Sequence, residues 1–401
     1  MGNNMLLYAS TIDVSVPNGP GVNEREFVCA LQRRFGEKVR FLLPVPADPS
    51  IVLGLGRLRT FPKFSSRMMH WALQLAICWQ LFCEIRRRKP ALIIFRCGQL
   101  PVGLAVFAKL SRVPIVLKTQ GDPTMQYLCD KPGLKGWLSR RLRPINLWAV
   151  QVLVDRAVSV DCCTRQLVAR NRDYLRRVAD GKIVLIENAT NVQRFQPASA
   201  TEARRRVGLA SFSPVIGYVG GVPWERGGRQ IILAVARLRD RYPGIAGAIV
   251  GGAGPELAAL RQFARSMNVA DYCLIPGQVP YEEVPSWINS FDIGVAMDLA
   301  ERADYVGSSN QKIRQYLACG RPVVATAGAN EFLIEEGLGA TVAESDIDGF
   351  VAALEALLAK QEAERRALAQ RARAYATQHF SIDRTLEERV ARWKQLGVPV
   401  P

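Results

Sequence analysis

The chain has 401 residues, 49% of them apolar, a mean hydropathy of +0.03 and a formal net charge of +17. That length exceeds one ordinary core and predicts two domains of about 180 to 200 residues each, and the apolar content excludes a disordered chain. The charge is lopsided: residues 1–200 carry 30 Lys and Arg against 13 Asp and Glu, whereas residues 201–401 carry 23 of each. Net charge alone would suit nucleic acid, but no helix-turn-helix, finger or RNA-binding signature accompanies it, so no nucleic-acid partner is expected. Nine scattered cysteines without a CxxC pair, and two histidines, His70 and His379, exclude a zinc site and suit reduced, cytoplasmic thiols. No signal peptide is expected at the N-terminus. The longest helix-like apolar segment, Met68–Cys83, is shorter than a bilayer span and is expected to be a buried helix containing His70.

In chain order, Met5–Ser10 is a predicted strand, and Pro17–Gly21 a glycine-rich turn before a helix that starts near Asn23 and runs through Phe35. Val39–Leu43 is a second strand, and Gly54–Phe64 a basic loop leading into a helix over 68–87. Ala91–Arg96, Ile115–Thr119 and Ala157–Val160 are further strands, with Gly103–Ser111 a helix between two of them. Ile183–Ile186 closes the first domain, and the stretch 195–212 marks the boundary. The alternation then restarts. Strands are predicted at Val215–Val219, Ala246–Val250, Cys273–Ile275, Ile293–Ala296 and Pro322–Ala325. Helices are predicted at Gly228–Tyr242, Glu256–Met267, Val284–Ser290 and Gln311–Ala318. Asp346–Leu358, Glu362–Gln378 and Ile382–Leu396 are helical. Strands separated by helices imply parallel sheets with right-handed crossovers, an α/β protein.

The chemistry concentrates in Gly307–Thr326, GSSNQKIRQYLACGRPVVAT. A Gly/Ser/Asn loop opens a short helix there, presenting backbone N–H groups that suit phosphate oxygens. Tyr218–Gly221 ends another strand and is followed by Arg226-Gly227-Gly228. Two anion-suited turns at strand ends in one α/β domain predict a bound nucleotide diphosphate. The predicted cradle is Arg226 with the amides of Ser308, Ser309 and Asn310, beside Gly221 and closed from the first domain by Gly19 and Gly21. Lys312 either adds charge or is a surface lysine. Gly251–Gly254 is either a plain turn or part of the same site. No acidic cluster suggests a metal, and no cofactor is expected.

With these residues placed, the chain resembles the GT4 family of retaining glycosyltransferases. The likeness is carried by Lys182–Pro197, by Tyr218–Gly227 and above all by Leu317–Ala325, LACGRPVVA. The resemblance implies the GT-B architecture, two Rossmann-like domains facing each other across a cleft: an acceptor-binding domain at 1–197, a nucleotide-sugar domain at 198–380, and a helix at 381–401 returning to the first. It also implies a nucleotide-sugar donor, anomeric retention, and a glycan or polyprenyl-linked acceptor. Members commonly carry two glutamates eight positions apart, and here those positions are Gly307 and Gln315. Gln315 can still hydrogen-bond a ribose, whereas Gly307 offers only backbone. Where members often have a histidine, this chain has Gln120. Gln120 and Lys118 are expected to line the acceptor side of the cleft, with Arg226 as the catalytic clamp on the leaving diphosphate. Glu331 either touches the donor or caps a helix. The missing glutamates leave open a non-catalytic scaffold of the same shape; a dinucleotide oxidoreductase fits less well, because no complete GxGxxG follows the first strand.

Lys131, Lys135, Arg140, Arg141 and Arg143 interleave with Leu134, Trp137, Leu138, Ile145 and Trp148. Such a stretch suits an anionic membrane surface, with Arg57, Arg59, Lys63 and Arg67 extending it; a bland cationic surface is the other reading.

Overall fold

The computed structural model describes residues 5–16, 18–61, 70–98, 100–176, 178–221, 223–298, 305–307, 309–328 and 330–401. Pro17, Lys63, Arg67, Ser308 and the side chain of His70 lie outside this description.

The first sheet has seven strands: β1 (Leu6–Ala9), β2 (Val39–Pro44), β3 (Leu58–Phe61), β4 (Leu92–Cys97), β5 (Ile115–Thr119), β6 (Ala157–Cys162) and β7 (Ile183–Leu185). Their order is β3-β2-β1-β4-β5-β6-β7 and every pairing is parallel. The second sheet has six: β8 (Val215–Val219), β9 (Ala246–Val250), β10 (Cys273–Gly277), β11 (Ile293–Ala296), β12 (Val323–Thr326) and β13 (Gly339–Val342). Its order is β10-β9-β8-β11-β12-β13, again all parallel. Helices cover both faces of each sheet, which is why β1, β5 and β9 are buried at every position and apolar almost throughout.

Both sheets reverse their winding direction beside their first strand, between β1 and β4 and between β8 and β11. At such switch points the loops leaving adjacent strands diverge and open a crevice at the carboxyl ends. The two crevices face each other, and the site lies between them.

Helix Gly19–Phe35 follows β1 and starts earlier than the glycines suggested. Asn18, extended at φ −114°, caps it by accepting from the Gly21 amide at 2.9 Å, and Pro20 occupies the first turn, where its missing N–H costs nothing. The expected loop 54–64 contains β3, an edge strand paired with β2 from Phe41↔Leu58 onward. Phe61 alone of its four residues is buried, so it lacks the alternation that marks a strand.

The last helix, Ile382–Gln395, packs on the first domain although it follows the second in sequence. Ile382, Leu386, Val390 and Trp393 join Leu6, Tyr8, Phe27 and Leu31 in one core. Each such side chain contributes about 1.5–3 kcal/mol of burial. Arg389 donates to buried Asp161 at 3.1 Å and Arg392 to Ser159 at 3.2 Å. The chain therefore crosses between domains twice, at Thr190 and Ser381, which pair as an isolated parallel bridge.

Candidate active site

A cleft of about 510 Å³ separates the carboxyl ends of the two sheets. The second domain provides its anion-suited wall. β8 ends at Val219, whose amide donates to buried Tyr316 Oη at 2.8 Å, so the strand end is anchored to the helix Gln311–Ala318. Gly220 and Gly221 follow along the cleft, and the chain kinks at Arg226 (φ −120°, ψ 28°) and Gly227 (φ 125°). The kink holds the Arg226 guanidinium in the cleft, 3.7 Å from the Asp298 carboxylate. Asn310 occupies the N-cap position of helix Gln311–Ala318 but does not cap it; its side chain donates to Asp298 Oδ2 at 2.5 Å. No side chain caps that helix start, which lies at the cleft. Arg226 and Asn310 therefore converge on one carboxylate in one cleft.

Lys312, in the first turn of the same helix, is buried rather than on the surface, with its ammonium 4.7 Å from the Tyr218 ring. Ser309, Lys312 and Gln315 all line the cleft, as do Gly19, Gly221 and the Gly251–Gly252 turn. Two of the expected residues do not. Gly21 lies below the cleft wall: its amide is taken by Asn18, and a Cβ there would sit 2.1 Å from the Val16 carbonyl oxygen. It is needed for close packing rather than for phosphate. Lys118 points away from the cleft, beneath helix Gly19–Phe35, with its ammonium 3.0 Å from Glu24 and 3.6 Å from the Phe27 ring centroid. Burial pulls its pKa down to about 8 while Glu24 pushes it back up. Among the described residues the first-domain cation lining the cleft is Arg96, paired in register with Lys118 on neighbouring β4 and sharing Glu24 at 3.1 Å.

Gln120 lines the first-domain wall. Its amide nitrogen donates to Asn23 Oδ1 and Asn188 Oδ1, both at 2.9 Å, so the ring of amides fixes its orientation. Glu331 lies elsewhere, accepting from the Gly328 amide beside the short helix Phe332–Glu335.

The domains are held together around buried Glu26. Tyr281 Oη donates to it at 2.5 Å, the Asn191 amide at 2.9 Å, Gln311 Nε2 at 3.1 Å and Thr190 Oγ1 at 3.4 Å. Arg25 and Arg194 both lie over the Tyr281 ring, 4.9 and 5.1 Å from its centroid. Burial pushes the Glu26 pKa up to about 7, partly opposed by the bonds from Tyr281, Asn191 and Thr190. Farther along, Thr164 Oγ1 donates to the Val306 carbonyl at 2.6 Å, and Gly307 (φ +69°) abuts the first domain so closely that a Cβ would lie 2.3 Å from Gln166 Oε1.

Residues 213–360 match the family Glycosyl transferases group 1. The chain is 33% identical over 200 residues to the GDP-mannose-dependent alpha-(1-6)-phosphatidylinositol monomannoside mannosyltransferase of Mycolicibacterium smegmatis, covering 48% of this chain and 50% of that protein. It is 26% identical over 262 residues to the D-inositol 3-phosphate glycosyltransferase of Mycobacterium marinum, covering 63% and 53%. The chain thus spans about half the length of the curated relatives it matches. Two solved structures share the whole architecture. Anabaena HepE in complex with UDP-glucose superposes with TM-score 0.70 at 14% identity, over 97% of this chain and 99% of that one. Sucrose-phosphate synthase from Thermosynechococcus elongatus superposes with TM-score 0.73 at 18% identity, over 98% and 99%. The fold is GT-B, and within the second domain residues 213–360 are similar to the group 1 glycosyl transferases.

Proposed function

We propose that the protein is a retaining glycosyltransferase that moves a sugar from a nucleotide-sugar to a glycan or lipid-linked acceptor, in polysaccharide or glycoconjugate synthesis. The observation that carries this reading is the meeting of Arg226, Asn310 and an uncapped helix start in one cleft between two Rossmann-like sheets. As the bond from the anomeric carbon to the diphosphate breaks, negative charge builds on the leaving group. Arg226, Lys312 and the helix amides oppose that charge without reorganising.

The acceptor hydroxyl must lose its proton as its oxygen bonds the anomeric carbon. Among the described residues lining the cleft there is no histidine, and Gln120 has no basic nitrogen. The resemblance to retaining glycosyltransferases assigns the proton to the departing phosphate oxygen, on the face that the acceptor enters, and the absence of a histidine base among these residues agrees with that assignment. Gln315 is assigned to the nucleotide ribose. Replacing Gln315 by glutamate is expected to keep or improve nucleoside-diphosphate affinity, measured by calorimetric titration; complete loss of binding would remove Gln315 from the ribose.

The acceptor is assigned to a membrane. Helix Gly133–Arg156 exposes Leu134 (78%), Trp137 and Trp148 among its basic residues. The neighbouring helices Val102–Leu110 and His70–Arg87 expose Leu110 (66%) and Trp79 (66%). Among the described residues no helix is long and apolar enough to cross a membrane. We assign this face to peripheral docking on the anionic inner leaflet, from which a polyprenyl-linked acceptor would enter the cleft. Vesicles with 30% anionic lipid should sediment the protein, neutral vesicles should not, and 0.5 M salt should release most of it. Binding indifferent to lipid charge would reject this surface.

The reading as a whole is tested by incubating the protein with UDP- and GDP-sugars and a polyprenyl-diphosphate-linked sugar, followed by product analysis. Transfer with retained anomeric configuration is expected. Tight nucleotide binding without transfer to any acceptor would favour a non-catalytic partner.

A further inference from the structure

Asp298 stands out in the cleft. Among the described lining residues it is the carboxylate in a wall that otherwise carries the cations Arg96, Arg226 and Lys312. It lies two residues beyond β11, on the loop that leaves the switch point next to β8. Its backbone is pinned by Thr326: the Asp298 amide donates to Thr326 Oγ1 at 2.8 Å, and that hydroxyl donates back to the Asp298 carbonyl at 3.3 Å. The side chain is held by Asn310 on Oδ2 at 2.5 Å and faces Arg226 across 3.7 Å. It is thus a fixed carboxylate against the two residues assigned to the diphosphate.

A carboxylate in that position repels a diphosphate and weakens the clamp. What it brings to the cleft beside those contacts is a charged acceptor, and hydroxyl groups are the donors a nucleotide-sugar brings. The group attached directly to the second phosphate is the sugar, whose C2 hydroxyl lies only three bonds beyond the bridging oxygen. The other acidic candidate position is closed. Gly307, at φ +69°, carries no side chain, and a Cβ there would meet Gln166 and Thr164 within 2.9 Å. We propose that Asp298 binds hydroxyls of the transferred sugar and so selects the donor. This deepens, and rests on, the glycosyltransferase reading of the same cleft. On the opposite wall the Gln120 amide nitrogen is engaged by Asn23 and Asn188, and the groups there are neutral amides, weaker acceptors than the Asp298 carboxylate.

The test compares affinities within matched pairs, UDP with UDP-glucose and GDP with GDP-mannose, by calorimetric titration of wild type and Asp298→Asn. The substitution keeps shape and the bond geometry to Asn310 while removing the charge. In the pair that wild type binds, Asp298→Asn should weaken the nucleotide-sugar by 10-fold or more. It should leave the diphosphate within about 3-fold or tighten it, since a neighbouring negative charge is gone. Equal weakening of both members would overturn the inference, because a residue that only orients Arg226 and Asn310, or that binds ribose, cannot tell them apart. A diphosphate affinity that is lost with EDTA in wild type and insensitive to EDTA in Asp298→Asn would also overturn it, making the carboxylate a metal ligand. If Asp298→Asn does not fold, Asp298→Glu serves: its displaced carboxylate should lower nucleotide-sugar affinity alone, and unchanged affinity for both would count against the inference. Wild type that binds none of the four would fail the glycosyltransferase reading itself, whereas binding of a pair with the wrong discrimination fails only the role of Asp298.

Discussion

Replacing Arg226 by alanine is expected to lower kcat/KM for the nucleotide-sugar by about 10²- to 10³-fold, most of it in kcat. The guanidinium sits at the strand-end kink, partly exposed to the cleft, and faces the Asp298 carboxylate at 3.7 Å. Without it, the leaving diphosphate loses a cation where charge develops and keeps the Asp298 carboxylate as an uncompensated neighbour. Both effects oppose the transition state more than the ground state, so binding of the intact donor should suffer less than turnover. Arg226→Lys should recover only part of the rate, because an ammonium provides a charge but no planar fork. The fold should be unaffected, since the Arg226 side chain reaches the cleft rather than a core. Donor kinetics equal to wild type, with an unchanged melting temperature, would remove Arg226 from the site.

The second large effect concerns the joint between the domains and is read as a pH dependence. Glu26 titrates near pH 7 in the folded protein against an ordinary value of 4.5, because burial penalises its charge more than Tyr281, Asn191 and Thr190 favour it. Its folded pKa is raised, so between pH 4.5 and pH 7 the folded state holds a proton that the unfolded state has released. Stability from this group is therefore greatest below about pH 4.5, falls as pH rises to about 7, and is flat above. A shift of this size corresponds to about 3 kcal/mol. The groups facing Glu26 from other elements are Tyr281, whose own pKa burial raises well above its ordinary value, and Arg194, whose positive charge opposes the upward shift of Glu26. Glu26→Gln should remove this component of the pH dependence. The check is the urea midpoint at pH 5 and pH 8: wild type should lose more stability than Glu26→Gln between them, and parallel losses would exclude Glu26 as the source. Because Gln311 donates to Glu26 and begins the helix that lines the donor site, the same variant should alter donor KM.

Much of this fold is legible in the sequence because its strands are covered on both faces. β1, β5, β8, β9 and β12 are short apolar runs between helices, and such runs have few alternatives. β3 is different: as an edge strand with Arg59 and Thr60 exposed, it shares its composition with a loop. The early start of helix Gly19–Phe35 is hidden by Gly-Pro-Gly, which suits a turn, although Asn18 before a proline is also a helix-start signal. In the cleft, Arg226, Asn310 and Gln315 come from two short motifs, Tyr218–Gly228 and Gly307–Thr326, so their shared position is legible from the sequence. Lys118 differs from its expected place because helix Gly19–Phe35 covers it, a packing choice the local sequence does not carry, and leaves Gln120, just beyond the strand end, to the cleft. Arg96 and Asp298 stand alone in sequence, and their one signal is a charged residue at or just beyond the carboxyl end of an apolar strand. Glu26 carried no such signal, since its partners Tyr281, Asn191 and Gln311 come from distant segments.

The claim on which the rest depends is that the second domain holds a diphosphate between Arg226 and the start of helix Gln311–Ala318. A crystal structure of the protein with bound UDP or GDP tests it most directly. The account predicts phosphate oxygens within hydrogen-bonding distance of the Arg226 guanidinium and of the amides that follow Asn310. A diphosphate bound elsewhere, with Arg226 still turned to Asp298, would contradict it.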